Sequence, residues 1–347
     1  MLTSKGIIFI VSKHINTDTH EEDKVSHPYE ELTPDCILDA LEDVGFEPTG
    51  SLLALNSYEN RVYQVSLEDG NFVIAKFYRP NRWSDAAILE EHAFSYELRE
   101  QDIPIVTPLA IDDKSLFEFN QFRFAVFPRQ GGRTPELEQA ETLKQLGRCL
   151  GRMHAVGASQ PFHDRPKITV QNFGYDSLNF LLENDFISHE VSTNYHNAAE
   201  EALKMVEVRF EAILPRNIRL HGDCHPGNLL WRDDAPHFVD LDDCRMGPAI
   251  QDLWMLLSGT HDEMSVQFRH LLEGYETFRE FDVAELALIE ALRTLRLLHY
   301  SAWLARRWHD PAFPMHFPWF DSPRYWEEQM ITLREQIERL QAPSLQI

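Results

Sequence analysis

The sequence predicts an α+β molecule in two lobes, a small one with an antiparallel sheet and a helix, then a larger, mainly helical one. Three observations carry this. Between Ser51 and Tyr78 apolar and polar residues alternate around a polar turn, the pattern of half-buried strands. After Gly131-Gly132 the apolar residues recur at steps of three and four, the period of amphipathic helices. Between two such helical stretches lies a short strand-like island, Leu229–Trp231 and His237–Val239. With 347 residues, the chain is long enough for each lobe to bury its own core.

In the small lobe, Tyr63, Val65 and Leu67 alternate with polar neighbours, Glu68-Asp69-Gly70-Asn71 supplies a turn, and Phe72 to Tyr78 returns. Residues 84–100 predict a helix, with Ser84 or Asp85 as its cap and Leu89, Ala93 and Tyr96 on one face. Phe122 to Phe127 is a further strand, ended by Pro128, and Gly131-Gly132 is the expected hinge. Beyond it, Leu143, Leu146, Leu150 and Met153 mark one helix and Glu285 to Arg307 another. The turn within the strand-like island is expected over Arg232 to Pro236. These signals divide the chain into a poorly packed extension (1–28), an N-lobe (29–130) and a C-lobe (131–347).

A formal charge of −24 leaves no basic background for nucleic acid and disfavours anionic membrane surfaces. Cys36, Cys149, Cys224 and Cys244 form no C-x-x-C pair and no disulfide framework, which suits a reducing cytoplasm. The apolar run Gly6 to Val11 is shorter than a signal-peptide core, and no stretch is long enough to span a bilayer. The expectation is a cytoplasmic monomer that binds neither nucleic acid nor membrane.

The most informative run is His221-Gly222-Asp223-Cys224-His225-Pro226-Gly227-Asn228, followed by Phe238-Val239-Asp240-Leu241-Asp242-Asp243. It contains H-x-D-x-x-x-x-N and then an aspartate ending a hydrophobic strand. Phosphoryl transfer needs one carboxylate to orient the acceptor hydroxyl and take its proton. It also needs an amide oxygen and a second carboxylate to hold magnesium across the phosphates. Asp223 suits the first task, and Asn228 and Asp240 the second. The same arrangement occurs in the catalytic loop and metal-binding aspartate of protein kinases. The form H-G-D-x-H-x-G-N is more similar to the aminoglycoside phosphotransferase and choline kinase branch. A rival reading, a hydrolase metal cluster of His221, Asp223, Cys224 and His225, is disfavoured because adjacent Cys224 and His225 do not converge readily on one tetrahedral ion and no matching second ligand pair appears downstream. His221 is expected to brace the loop, His225 to meet backbone or substrate, and Gly222 and Gly227 to relieve backbone strain.

A kinase-like site also needs a lysine for the α- and β-phosphates. Lys76 lies within Val73-Ile74-Ala75-Lys76-Phe77-Tyr78, an apolar strand where an ammonium requires a counter-charge. The following helix offers Glu90 and Glu91, and Glu91 is preferred, with Phe94 and Leu98 packing behind it. No glycine-rich loop is present. In its place Asn56-Ser57-Tyr58-Glu59-Asn60-Arg61 can present backbone N–H groups and the Ser57 hydroxyl to phosphate. Arg79 is expected to matter little to ATP. Asp252 is expected to brace the catalytic loop, and Cys224 and Cys244 to be small buried hydrophobes.

On these residues the chain resembles the bacterial stress response kinase A family, the YihE or RdoA type, from about Tyr29 to its carboxyl end. The likeness rests on Asn56 to Tyr63, Lys76 to Pro80, Phe124 to Pro128, Leu220 to His225, Gln251 to Leu257, Asp310 to Pro314 and Phe317 to Trp319. It implies a protein-kinase-like two-lobed fold and a cytoplasmic serine/threonine protein kinase that uses ATP and Mg2+. It further implies a stress-response role and autophosphorylation, which would make the chain a phosphoprotein. Carried over by position, Asp223 is the proton acceptor, Asp240 a second active-site residue, Asn228 and Asp240 the metal ligands, and Ser57 part of the ATP site with Lys76 and Glu91. Pro226 stands where the family pattern has a smaller residue; it stiffens the loop and removes no chemical group. A kinase acting on an amino alcohol, sugar or antibiotic is the alternative, since one fold serves both kinds.

Overall fold

The structure, a computed structural model, describes residues 27–347, so nearly all of the expected extension lies outside the described residues. Helix α1 (Pro34–Asp43) precedes strands β1 (Pro48–Ala54), β2 (Arg61–Leu67) and β3 (Phe72–Phe77), helix α2 (Asp85–Glu100), and strands β4 (Phe117–Phe119) and β5 (Phe122–Pro128). The strands form one antiparallel sheet in the order β1-β2-β3-β5-β4. Lys76 lies on its central strand, opposite Val62 on one side and Ala125 on the other. Strand pleating then assigns the faces. Ala75 and Phe77 join the core under α1, whereas Tyr78 packs with Ile88 of α2.

The inward face of α2 differs from the one the apolar pattern predicts. Ser84 caps it by accepting from the Ala87 N–H at 3.1 Å, as expected. Ala87, Ile88, Glu91, His92, Phe94, Ser95 and Leu98 turn inward, whereas Leu89 and Ala93 are exposed and Tyr96 is half-buried. The buried face includes a carboxylate and an imidazole because each finds a partner inside. Glu91 meets Lys76 and Arg165, and His92 meets the Tyr78 hydroxyl and Ser115, both at 2.8 Å.

The large lobe contains α3 (Ala140–Gly157), α4 (Asp176–Glu183), α5 (Ser192–Ile213), the short strands β6 (Ile218–Leu220), β7 (Leu229–Arg232), β8 (Ala235–Phe238) and β9 (Arg245–Gly247), and helices α6 (Ile250–Trp254), α7 (His261–Tyr275), α8 (Ile289–Arg306), α9 (Ala312–His316) and α10 (Pro323–Gln341). Leu143, Leu146, Leu150 and Met153 are fully buried along α3, as their spacing predicts. Helices α3 and α7 meet backbone to backbone. A Cβ on Gly147 would lie 1.9 Å from the Leu271 carbonyl oxygen, and one on Gly274 2.0 Å from that of Lys144. The helix expected from Glu285 starts later, after a 3-10 turn over Val283–Leu288. The β7–β8 turn is tighter than expected: Asp233 and Asp234 make it in two residues with φ of 51° and 56°, the left-handed pair of a type I′ hairpin.

Hydrogen bonds anchor the chain on the far side of Gly131-Gly132, and others join the two lobes. Just after Gly131-Gly132, the Arg133 N–H donates to the Trp231 carbonyl at 3.0 Å and the Trp231 N–H to the Arg133 carbonyl at 2.6 Å. The segment after α2 pairs with β8 through Val106 N–H to Phe238 O at 3.0 Å. Phe94 and Leu98 of α2 enter the core of the large lobe, so α2 is registered against the catalytic loop. Among the described residues, no helix is long and apolar enough to cross a membrane.

Candidate active site

The loop from His221 to Asn228 leaves β6 through Gly222, whose φ is +85° and whose Cβ position would lie 2.2 Å from the Asp243 carbonyl oxygen. Only glycine satisfies both constraints. Gly227 has a different reason: a Cβ there would strike the His225 ring at 2.7 Å. Asp252, on α6 and fully buried, accepts from the backbone N–H groups of His221 and Gly222, both at 2.8 Å, and faces His154 Nε2 at 3.1 Å. This is the expected brace. His221 adds a second one, with its Nε2 3.0 Å from the Val239 carbonyl, tying the loop to the segment that carries Asp240. Cys224 and Cys244 are fully buried, and burial raises both thiols, that of Cys244 to about 12, so neither is a reactive thiolate.

Asp223 projects into the cleft between two donors. Its Oδ1 accepts from Arg296 Nη1 at 2.6 Å, and its Oδ2 is 3.4 Å from His225 Nε2. Burial opposes its charge, but the His225 hydrogen bond and the Arg296 guanidinium outweigh burial and hold the carboxyl well below the usual carboxylate range. Asn228 donates its amide N–H to the Asp223 carbonyl at 3.0 Å. This leaves the amide oxygen without a protein partner among the described residues. The Asn228 carbonyl receives the Val239 N–H at 3.1 Å, which closes the hairpin and brings the Asp240 segment alongside.

Asp240 has a left-handed backbone, φ 61°, and a side chain 51% exposed. The Lys76 ammonium lies 3.1 Å from Asp240 Oδ1, 3.2 Å from Asp242 Oδ1 and 3.5 Å from Glu91 Oε1. Burial disfavours the ammonium, yet these three carboxylates hold its pKa well above the usual lysine value. Lys76, Glu91 and Asp240 are thus brought together from three separate parts of the sequence. Glu90 points elsewhere and accepts the backbone N–H groups of His163, Asp164 and Arg165 at 2.6, 2.8 and 3.0 Å.

Ser57 is half-buried in the loop between β1 and β2, and no hydrogen bond ties it to the other candidate residues among those described. Its neighbour Glu59 fixes the loop. Glu59 pairs with Arg79 at 3.0 Å and Arg307 at 2.9 Å and accepts from the Trp303 indole N–H. Beside it, Asp310 receives Arg79 at 2.7 Å and Arg61 at 3.1 Å. Tyr58 packs edge-on against Phe317, ring centroids 4.8 Å apart. The loop of the small lobe is therefore latched to the end of α8 and the segment after it. Arg79, to which the sequence assigns little, is a buried member of this latch.

Several residues at the site escape the sequence reading. Asp242 is buried, and although burial opposes its charge, Arg82 and Lys76 hold it down at about 2. Arg82 bridges Asp242 and Asp243, and Arg165 meets Glu91 at 2.7 Å. The one signal that could have found these residues is the need of every buried charge for a partner.

Asn228 and Asp240 offer an amide oxygen and a half-exposed carboxylate, hard donors suited to magnesium, which takes few protein ligands and fills its shell with phosphate and water. Among the described residues, no three His, Cys, Asp or Glu side chains converge as a metal cage.

Comparison with known proteins places the chain among phosphotransferases. Residues 51–289 match the model of the phosphotransferase enzyme family. Stress response kinase A of Escherichia coli O157:H7 is 45% identical over 319 residues, which cover 92% of this chain and 97% of that protein. The serine/threonine protein kinase RdoA of Salmonella typhimurium LT2 is 43% identical with the same coverage. Among solved structures, an amicoumacin kinase in complex with AMP-PNP and calcium is similar with a TM-score of 0.65 at 20% identity, covering 86% of this chain and 92% of that one. A microcompartment-associated aminopropanol kinase gives 0.64 at 17% identity, covering 87% and 95%. These neighbours share the α+β, two-lobed kinase-like fold expected from the sequence. Since the family match runs from β1 through the catalytic loop into α8, and the relatives align over nearly their whole length, the chain belongs to the phosphotransferase enzyme family, within its stress response kinase A group.

Proposed function

We propose that this kinase is an ATP- and magnesium-dependent serine/threonine protein kinase, acting in the cytoplasm as a monomer on protein hydroxyls, its own included, as part of a stress response. We set the boundary between its lobes at residues 130 and 131. The observation behind this reading is the convergence of Lys76, Glu91 and Asp240 within 3.1–3.5 Å beside the loop that carries Asp223 and Asn228. Lys76, oriented by Glu91, takes the α- and β-phosphates, and the loop bearing Ser57 covers them. Asn228 and Asp240 would hold the magnesium ion, which neutralises charge building between the β- and γ-phosphates.

Asp223 orients the acceptor hydroxyl and receives its proton. The acceptor oxygen forms its bond to the γ-phosphorus as the bond from that phosphorus to the bridging oxygen breaks, and the electron pair leaves on ADP. A carboxylate with so low a pKa acts mainly by orientation and takes the proton late, which suits a loose transition state.

The protein acceptor is favoured by the named relative RdoA and by the carboxyl-terminal aromatics. Trp303, Phe313 and Phe317 pack against one another at 5.1–5.9 Å as a wall rather than an open cage for a cation. The second reading, a small-molecule kinase, draws on the amicoumacin and aminopropanol kinases that share the fold. Purified protein with labelled ATP is offered casein, a basic substrate protein, choline and kanamycin. Label on serine or threonine that is lost in Asp223→Asn, by roughly 10²–10⁴-fold, supports the proposal. Efficient turnover of choline or kanamycin alone refutes it.

A further inference from the structure

Arg296 is half in water and has one ionic partner, the proposed catalytic base. It lies on α8, its side chain is 41% exposed, and its guanidinium reaches Asp223 at 2.6 Å. Among the described residues it meets no other carboxylate. The pair is not needed to hold the loop, because Asp252 already fixes it through the backbone of His221 and Gly222.

The pair has a consequence for catalysis. Each oxygen of Asp223 has one donor, Arg296 or His225, and keeps a free lone pair, so an acceptor hydroxyl that bonds the carboxylate comes to rest beside those two donors. His225 is held by the Gly227 N–H, which donates to its Nδ1 at 2.9 Å and so leaves Nε2 as the protonated nitrogen facing Asp223. Arg296, long and half-exposed, spends one N–H on Asp223 and has others to offer. An acceptor carrying a carboxylate near its hydroxyl pairs with those N–H groups while Asp223 keeps its own bond. A cationic acceptor instead meets Arg296 as a like charge.

We propose that Arg296 selects the acceptor, favouring a hydroxyl flanked by a carboxylate, as in a serine or threonine next to Asp or Glu. The hydrogen bonds from the hydroxyl to Asp223, from Arg296 to Asp223 and from Arg296 to the carboxylate run in series, so that carboxylate lies no more than about 8 Å from the reacting oxygen, within reach of a side chain one or two positions away in a peptide. One turn along α8, Tyr300 is 39% exposed and stacks on Trp303 at 5.7 Å, giving the peptide a flat apolar shelf beside Arg296. The inference rests on Asp223 being the base, and it narrows the acceptor class.

The test compares the parent and Arg296→Glu at saturating ATP on two serine peptides that differ only in flanking Asp or Lys. Glycerate and ethanolamine serve as an anionic and a cationic small acceptor. The parent should favour the Asp-flanked peptide by about 10-fold or more in kcat/KM, mostly through KM, and Arg296→Glu should reverse that preference. A residue with only a structural role would lower both peptides alike. Equal use of the two peptides by the parent, a parent preference for Lys, or an equal loss in the variant overturns the inference and leaves the protein-kinase reading intact. Labelling of glycerate over ethanolamine, reversed in the variant and with neither peptide labelled, supports Arg296 as the selector and overturns the protein acceptor. Absence of turnover with both anionic acceptors overturns the inference.

Discussion

Replacing Lys76 with methionine separates what its charge does for nucleotide binding from what it does for the fold. The side chain is 7% exposed and faces Glu91, Asp240 and Asp242. Methionine keeps most of its length and apolar stem. Each carboxylate it deserts has another resource: Glu91 keeps Arg165 at 2.7 Å, Asp242 keeps Arg82, and Asp240 is half in water. No buried carboxylate is left unpaired, so the stability loss should be about 1–2 kcal/mol rather than the ~3–5 kcal/mol of a stranded charge. Nucleotide binding loses a charge-assisted hydrogen bond to phosphate, about 1.5–3 kcal/mol, which is about 10- to 150-fold in the KM for ATP. Initial rates against ATP, together with urea unfolding, measure the two effects separately. A KM within about threefold of the parent at unchanged kcat would refute the role of Lys76. Failure of the variant to fold would refute the pairing argument.

Asp240→Asn should weaken magnesium-dependent nucleotide affinity while preserving the fold, because asparagine tolerates the left-handed backbone at φ 61°; calorimetric titration with unchanged metal dependence would count against it. Gly147→Ala forces a methyl to 1.9 Å from the Leu271 carbonyl oxygen and should cost about 3 kcal/mol, more than the ~1 kcal/mol alanine gains in helix propensity. Gly131→Ala, with its nearest contact at 3.9 Å, is the control in the same denaturation series. Burial raises the Glu285 carboxyl from 4.5 to about 7, so the folded state prefers it protonated. Its contribution is therefore complete below pH 4.5 and is lost as pH rises through about 7. Glu285→Gln keeps an acceptor for the Ile250 N–H at 2.9 Å, and should flatten the stability curve over that window and raise the urea midpoint more at about pH 8 than at about pH 5.

What could be read from the sequence was local. The alternation that carries Lys76 into a strand, the spacing of Asp223, Asn228 and Asp240, and the preference for Glu91 over Glu90 all depend on residues close together along the chain. The apolar pattern of α2 pointed to Leu89, Ala93 and Tyr96, while the choice of Glu91 with Phe94 and Leu98 behind it marked the true inward side, and His92 looks like a surface residue until Tyr78 and Ser115 are known as its partners. Asp242 was overlooked beside Asp240 for the same reason: its cations, Lys76 and Arg82, come from the other lobe. Arg296 lies 73 positions from Asp223, on a helix whose pattern indicates only that it is amphipathic. Periodicity shows which residues are buried but not which charges meet, and most of this site is made of charges that meet.

The latch between the lobes also sets an order on synthesis. Asp310 lies 249 positions beyond Arg61 and 231 beyond Arg79. A chain made from its amino terminus folds its early parts first, so the small lobe leaves the ribosome with two arginines whose buried partner has not yet been translated. By the time Asp223 and Asp240 emerge, the proposed catalytic loop and metal segment are complete, yet the loop that carries Ser57 and Glu59 is still unpinned. Only when the stretch carrying Trp303, Arg307 and Asp310 follows can that loop be fastened. Chains cut short before this point hold every proposed catalytic group, yet should be poor kinases because that loop is left unpinned.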